Sequence, residues 1–279
     1  MQDRAPWLHS SFYRFSPLAD PVAVAAHLRE LARALAPGLL GSIVLAPEGI
    51  SAALAASPDE LAAFELALQR SGHFGDAPLV FKHSAGRTPP FGRLKVSVKP
   101  EIVALDFPHA ADLPPPDEHD DSHLSPAAWR ALLDREDVVL LDNRNHFEWR
   151  LGRFRGAIDP GVQHFRDFVA FVETQAPQWR AEHKTVAMYC TGGVRCDKTA
   201  PWMRSLGLTV LQLDGGILNH LQSMPDAERD WEGECYVFDK RIALDARLQE
   251  TATEAGAVFD PSLPDEAWRL ERARRLDES

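Results

Sequence analysis

The stretch that most constrains the fold is residues 185–198, which run Thr-Val-Ala-Met-Tyr-Cys-Thr-Gly-Gly-Val-Arg-Cys-Asp-Lys. The apolar run at 186–189 predicts a short buried strand. Two glycines follow, and a helical pattern extends over residues 196–206. The sequence therefore places Cys190 at the carboxyl end of a strand, in the loop that leads into a helix.

This position favours a reactive thiol at Cys190. The first N–H groups of a helix have no partner within the helix, and the helix dipole adds partial positive charge there. A thiol held at that point loses its proton more readily, and the thiolate is the nucleophilic form. The loop is predicted to cradle the sulfur, or an anion, through its N–H groups; its members are Thr191, Gly192, Gly193, Val194 and Arg195. The alternative is an inert, buried cysteine, the interpretation we apply to Cys196.

Composition excludes several classes of protein. The chain has 279 residues, of which 45% are hydrophobic and 25% charged, so it has room for two globular domains. A net charge of -11 argues against a generally cationic surface but allows a local basic face. Three cysteines without C-x-x-C spacing argue against disulfides and a zinc site, so no metal is expected. The absence of a long apolar run predicts a cytoplasmic protein that does not contact membranes.

Residues 1–106 follow the order strand, helix, strand, strand, helix, strand. Asp20-Pro21 and Ser57-Pro58 are typical helix starts. The order predicts an α+β, ferredoxin-like split βαβ domain. The strands are expected at 11–15, 41–46, 50–55, 79–82 and 94–98.

The end of this domain is locally basic. Between residues 82 and 99 no acidic residue occurs, and Phe91 and a proline pair are interleaved with five cationic side chains, which are Lys82, Arg87, Arg93, Lys95 and Lys99. Such a stretch is a candidate RNA-binding face. A solvated sheet edge is an equally good interpretation, since lysine on an edge strand prevents aggregation.

Residues 107–122 are acidic and proline-rich and are predicted to form an interdomain linker, in which His119 and the adjoining His123 are a solvated pair. Residues 123–241 alternate strands with helices and predict an α/β domain with a largely parallel sheet. Residues 242–279 are expected to form a C-terminal tail with one helix. Ligands of parallel sheets bind beyond the carboxyl ends of the strands, which is where Cys190 falls.

A second polar cluster follows the strand predicted at 138–141. Asp142 and Arg144 alternate in and out of a sheet, so they need not touch each other. Either side chain can support the Cys190 loop through charge-assisted hydrogen bonds. A surface turn is the alternative interpretation.

Four segments, at 141–145, 152–158, 190–198 and 213–217, resemble a rhodanese domain in content and order. With the ferredoxin-like domain and further matches between residues 12 and 239, the chain resembles the bacterial oxygen-dependent tRNA uridine hydroxylase family. The resemblance implies hydroxylation of the wobble uridine at carbon 5, with molecular oxygen as co-substrate and the anticodon region of tRNA as partner. It also implies that Cys190, the residue that carries a persulfide in rhodaneses, is essential. No flavin motif or iron-binding spacing occurs, so no further cofactor is evident.

Three other functions are compatible with the same residues. A sulfurtransferase would act through a persulfide on Cys190, chemistry that follows directly from an activated thiol. A phosphatase related to rhodanese has a loop one residue longer; four residues separate Cys190 from Arg195 here, as in the sulfur enzymes. A non-catalytic RNA-binding module predicts an unreactive Cys190.

Overall fold

The computed structural model describes residues 7–106 and 120–277. These residues form two compact units, which divide between residues 104 and 105. The linker predicted at 107–122 lies outside the described residues except for positions 120–122, and His119 lies outside them as well. Among the residues that are described, no helix combines the length and the apolar character needed to cross a membrane.

The first unit is a five-stranded sheet with two helices packed on one face. Its strand order is β4-β1-β3-β2-β5, in which β5 runs parallel to β2 and the other neighbours are antiparallel. The first four strands have the ferredoxin-like arrangement, which confirms the predicted α+β fold; β5 is added at one edge. The elements are β1 (Trp7–Phe15), α1 (Pro21–Leu35), β2 (Leu40–Ala46), β3 (Gly49–Ala56), α2 (Pro58–Arg70), β4 (Lys82–Gly86) and β5 (Leu94–Val98).

Both helices of this unit begin where the sequence predicts. The Asp20 carboxylate accepts hydrogen bonds from the N–H groups of Val22 and Ala23, at 3.0 and 2.9 Å. The Ser57 hydroxyl caps α2 by accepting the N–H of Glu60 at 3.4 Å and donating to the Glu60 carboxylate at 2.7 Å. These bonds satisfy N–H groups that the helices leave unpaired, so the caps determine where each helix starts.

The strand predicted at 79–82 is wrong. The ladder between β1 and β4 begins only at Lys82, which pairs with Ser11. Upstream, the Leu79 N–H donates to the side-chain oxygen of Gln69 at 2.6 Å, and the Pro78 carbonyl accepts from Arg14 at 2.5 Å. Side chains of α2 and β1 thus take the first N–H of the predicted strand and the carbonyl just before it, respectively.

The second unit is built on a four-stranded sheet of order β6-β10-β9-β7, in which every neighbouring pair is parallel. This confirms the predicted rhodanese-like α/β class. Two small sheets, β11-β8 and β12-β13, complete it. The elements are β6 (His123–Leu124), α3 (Pro126–Leu133), β7 (Val138–Asp142), α4 (His146–Leu151), β8 (Gly152–Phe154), α5 (Phe168–Ala181), β9 (Thr185–Tyr189), α6 (Val194–Ser205), β10 (Thr209–Leu213), α7 (Gly216–Ser223), β11 (Trp231–Gly233), β12 (Cys235–Tyr236), β13 (Ala243–Leu244), α8 (Ala255–Val258) and α9 (Pro264–Asp277).

Strand β9 lies between β10 and β7 and is the centre of this unit. Tyr189, at its end, is fully buried and makes edge-to-face contacts with Phe154 and Trp129. Burial on both faces explains the continuous apolar run that the sequence shows. The strand is therefore a rigid support for Cys190, the residue that follows it.

Candidate active site

The loop after β9 wraps its backbone around the Cys190 sulfur. The N–H of Gly193 donates to Cys190 Sγ at 3.1 Å, and the N–H groups of Arg195 and Cys196 also hydrogen-bond to this sulfur. Gly193 has a φ of 107°, in the region that favours glycine, and it turns the chain into α6. The helix starts at Val194, two residues earlier than predicted. Of the predicted cradle, Gly193 and Arg195 thus contact the sulfur through their N–H groups.

The environment of Cys190 favours the thiolate. Burial by itself would raise the pKa of this thiol. A hydrogen bond from the Cys196 side chain, the charge of Arg195 and the backbone N–H groups of both residues outweigh burial and lower the pKa of Cys190 to about 5. At neutral pH the sulfur is then almost entirely thiolate, the form required of a nucleophile.

The Cys190 sulfur is enclosed, because the residue has 0% exposed surface. Any reactant therefore reaches the sulfur only after the surrounding residues move.

Cys196 has a role that the sequence interpretation missed. Its thiol donates to Cys190, and burial, followed by the hydrogen bond and charge of Cys190, raises the pKa of Cys196 well above its ordinary value. Cys196 consequently stays protonated and remains a donor. The Asn143 side-chain amide lies 3.9 Å from Cys196 Sγ and donates to Thr199 at 2.8 Å. In the sequence, the only indication of this contact is that Cys196 follows Cys190 by six residues, across the loop and into the start of the helix.

The sequence interpretation also missed Glu148, which holds the Cys190 loop in place through Arg195. Its carboxylate accepts two hydrogen bonds from the Arg195 guanidinium, at 2.7 and 2.8 Å, and Glu148 is fully buried. Burial raises the pKa of Glu148, but the charge and hydrogen bonds of Arg195 outweigh it, so the net direction is down. Thr191 joins this pair, since Arg195 donates to its hydroxyl at 3.2 Å. The sequence signal was the capping box of Asn145 and Glu148 at the start of α4.

Asp142 and Arg144 touch each other, contrary to the expectation that they need not. Residues two apart in a strand share a face, so alternation did not separate them. Strand β7 ends at Asp142, and Arg144 folds back to donate two hydrogen bonds to the carboxylate, at 2.8 and 2.6 Å. Arg144 also donates to the Gly152 carbonyl at 2.6 Å, and the Tyr189 hydroxyl donates to Asp142 at 2.7 Å. Asp142 and Arg144 are both fully buried, which excludes the surface-turn alternative. They fix the end of β9 next to Cys190.

The start of α7 presses against the Cys190 loop. The N–H groups of Ile217 and Leu218 donate to the carbonyls of Cys190 and Thr191, at 2.9 and 3.1 Å. Gly216 makes this approach feasible, because a Cβ at that position would lie 2.4 Å from the Cys190 carbonyl oxygen. Its φ of 67° also favours glycine.

The prediction that His123 is solvated is wrong. Its ring donates from Nε2 to Asp197 at 2.8 Å and contacts the Asp120 carboxylate through Nδ1 at 3.0 Å, with 9% of the side chain exposed. Burial lowers the pKa of His123, but the hydrogen bonds and charges of the two carboxylates outweigh it and raise the pKa to about 9. His123 is therefore a cation that ties β6 to the first turn of α6.

The five predicted RNA-binding residues do not form one continuous edge. Lys82 lies on β4 and Lys95 on β5, and these strands are at opposite edges of the five-stranded sheet. The Lys82 ammonium lies over the ring of Tyr13, 5.2 Å from its centroid. Arg87 follows β4, and Arg93 and Lys99 flank β5; these three side chains are exposed.

The three cysteines are free thiols. Within residues 7–106 and 120–277, no group of three or more histidine, cysteine and carboxylate side chains is arranged to hold a metal ion.

Both units of the chain are similar to known protein families. Residues 7–102 match the family model described as UPF0176 acylphosphatase like domain, and residues 125–222 match the rhodanese-like domain. A protein of Synechococcus elongatus named tRNA uridine(34) hydroxylase is 46% identical over 241 residues, which is 86% of this chain and 86% of the relative. Relatives with the same name are 41% identical in Bradyrhizobium diazoefficiens, over 88% of this chain and 94% of the relative, and 36% identical in Legionella pneumophila, over 95% and 98%.

These relatives align with both units of the chain, and sequence identities of 36–46% over most of its length show membership of one family. The recognition made from the sequence motifs is confirmed. The chain belongs to the tRNA uridine(34) hydroxylase family.

Proposed function

We propose that this protein hydroxylates uridine 34, the wobble position, of tRNA. The observation that carries the proposal is the Cys190 thiolate, held by Gly193, Arg195 and Cys196 in a chain whose relatives over most of its length bear the name of that activity. Position 34 lies in the anticodon, so the partner is the anticodon region of tRNA. Because the substrate is tRNA, we assign the protein to the cytoplasm.

The reaction replaces hydrogen by a hydroxyl group at carbon 5 of the base. With molecular oxygen as co-substrate, one oxygen atom enters the C5–OH group and the other leaves as water, which consumes two electrons and two protons from a donor. Cys190 is the residue we assign to this chemistry, because its thiolate is formed at neutral pH and is electron-rich. Glu148 and Arg195 position it.

The test is nucleoside mass spectrometry of tRNA from a strain that lacks the gene, complemented with wild type or with Cys190→Ser. We expect 5-hydroxyuridine and its derivatives to be restored by the wild type and to stay absent with the variant. The same measurement on the wild-type strain grown with and without oxygen tests the co-substrate, since 5-hydroxyuridine formed by this protein should require oxygen. Unchanged 5-hydroxyuridine in the deletion strain would refute the function.

Sulfur transfer is the second candidate, and the same thiolate favours it. Cys190 would attack the outer sulfur of thiosulfate, forming a persulfide and releasing sulfite, and the persulfide sulfur would then pass to a thiol acceptor. Purified protein supplied with thiosulfate and cyanide measures this activity as thiocyanate. Thiocyanate formation that persists in Cys190→Ser would exclude Cys190 as the sulfur carrier.

A further inference from the structure

A groove in the first unit gathers three arginines that the chain contributes from separate segments. It lies between α1 and β5, has a volume of about 540 Å³, and is walled by Arg29, Arg33 and Arg93. Arg29 and Arg33 are four residues apart on α1 and therefore lie on the same face of the helix. Arg93 comes immediately before β5.

The base of the groove is apolar and made of small side chains. Ala32 and Ala36 line it and are 3% and 1% exposed, and Leu39 beside them is 3% exposed. Alanine at Ala32 in α1 and at Ala36, the residue that ends the helix, leaves space between α1 and the edge strand that a larger side chain would fill. The volume falls in the range of pockets that hold a ligand of nucleotide size.

The charge of the groove has one sign. None of the described residues that line it is acidic, although the chain as a whole carries a net charge of -11. Arg33 lies in the last turn of α1, where a cation is favourable for the helix itself, so this residue alone would carry little weight. Arg29 is tied to the edge strand through the Val96 carbonyl, and Arg93, just before that strand, lines the same space.

Arginine binds phosphate, as it binds carboxylates, with a well-matched geometry. Its planar guanidinium matches two phosphate oxygens at once. Arg29 is held in place because it donates to the Val96 carbonyl at 2.8 Å, which uses one of its several N–H groups. Arg33 and Arg93 are exposed. We propose that this groove binds the phosphodiester backbone of tRNA, with Arg29, Arg33 and Arg93 contacting phosphate oxygens; the inference rests on the proposed function.

The groove differs from the RNA-binding face expected from the basic stretch. It retains Arg93 of that stretch, adds two residues of α1, and leaves out Lys82 on the opposite edge of the sheet. Lys95 alternates on β5 with Leu94 and Val96, which line the groove, and does not line it itself; Arg93 precedes the strand and lies outside that alternation.

The test uses the full chain carrying Arg33→Ala and Arg93→Ala together, because both side chains are exposed and their loss leaves the core intact. Arg70→Ala, at the exposed end of α2, is the matched control. Affinity for tRNA is measured by fluorescence anisotropy over a range of salt concentrations. We expect the double variant to bind at least about tenfold more weakly, and its salt dependence to lose about 1.5 units of slope, whereas the control stays within twofold of wild type.

Activity separates this inference from the proposed function. If the groove binds tRNA, the double variant raises KM and leaves kcat at saturating tRNA unchanged, since neither arginine is near Cys190 in sequence or belongs to its loop. If the wild-type protein modifies uridine 34 and the double variant binds tRNA with wild-type affinity, the groove proposal is refuted and the proposed function is retained. If tRNA binding depends on the two arginines but uridine 34 is not modified, the proposed function is refuted and the groove proposal is retained. Arginine-dependent binding of inorganic phosphate, with tRNA affinity unchanged, would identify a small-phosphate site and overturn the RNA assignment.

Discussion

Replacing Cys196 by alanine tests the origin of the Cys190 thiolate. Cys196 donates a hydrogen bond to the Cys190 sulfur, and it stays protonated because its own pKa is raised well above the ordinary value. Alanine removes that donor and keeps the backbone N–H groups and Arg195 in place. We therefore expect the pKa of Cys190 to rise in Cys196→Ala.

The magnitude follows from the cost of losing a hydrogen bond to a charged group. Such a bond contributes about 1.5–3 kcal/mol, and about 1.4 kcal/mol corresponds to one pH unit. The pKa of Cys190, about 5 in the wild type, should rise by roughly one to two units in the variant. Cys196→Ser is the matched control, because a hydroxyl donates to the same sulfur; in that variant the pKa should stay near 5.

The assay is the ultraviolet absorbance of the thiolate as a function of pH, which needs no reagent to enter the enclosed site. The other two thiols do not interfere, since the pKa of Cys235 is raised to about 12 by burial and that of Cys196 is also far above neutrality. Cys190→Ser provides the baseline. An unchanged titration in Cys196→Ala would refute the role of the thiol donor. An equal rise in the alanine and serine variants would attribute the effect to packing instead.

Three further predictions concern the supports of the loop. Glu148→Gln leaves the Arg195 charge buried without its partner, so thermal unfolding should show a loss of about 3–5 kcal/mol; a loss below about 1 kcal/mol would contradict the buried pair. His123 has a pKa raised from 6.5 to about 9, so its stabilisation is complete below pH 6.5 and is lost as the pH rises through 9. Denaturant unfolding of wild type should therefore weaken by up to about 3 kcal/mol over that interval, and His123→Gln should abolish this dependence; equal pH profiles for both would refute it. Gly216→Ala should abolish activity and lower the melting temperature, because its Cβ would lie 2.4 Å from a carbonyl oxygen of the loop, while Gly256→Ala, with open space, should be neutral in both measurements.

Local chemistry explains which parts of the fold were predictable. The caps at Asp20 and Ser57 and the strand before Cys190 depend on neighbouring residues, so the sequence indicates them directly. The strand at 79–82 was mispredicted because the Leu79 N–H bonds to Gln69 and the carbonyl of the preceding residue, Pro78, bonds to Arg14, and both partners belong to other elements. Strand propensity and hydrophobic pattern do not show that side chains distant in the sequence bond to these backbone groups.

By itself the sequence determined that the Cys190 thiol lies at the end of a strand, before a glycine turn and the start of a helix. It further determined that the loop from Cys190 to Arg195 has the length found in the sulfur enzymes, one residue shorter than in the related phosphatases. It also determined the class of both domains, because alternation and caps are properties of short segments. Only the tertiary structure decided which groups surround that thiol. Glu148 reaches Arg195 across 47 residues of chain, and the basic stretch is divided between the two edges of a sheet. Strand order sets those meetings, and strand order results from packing the whole core rather than from any one segment.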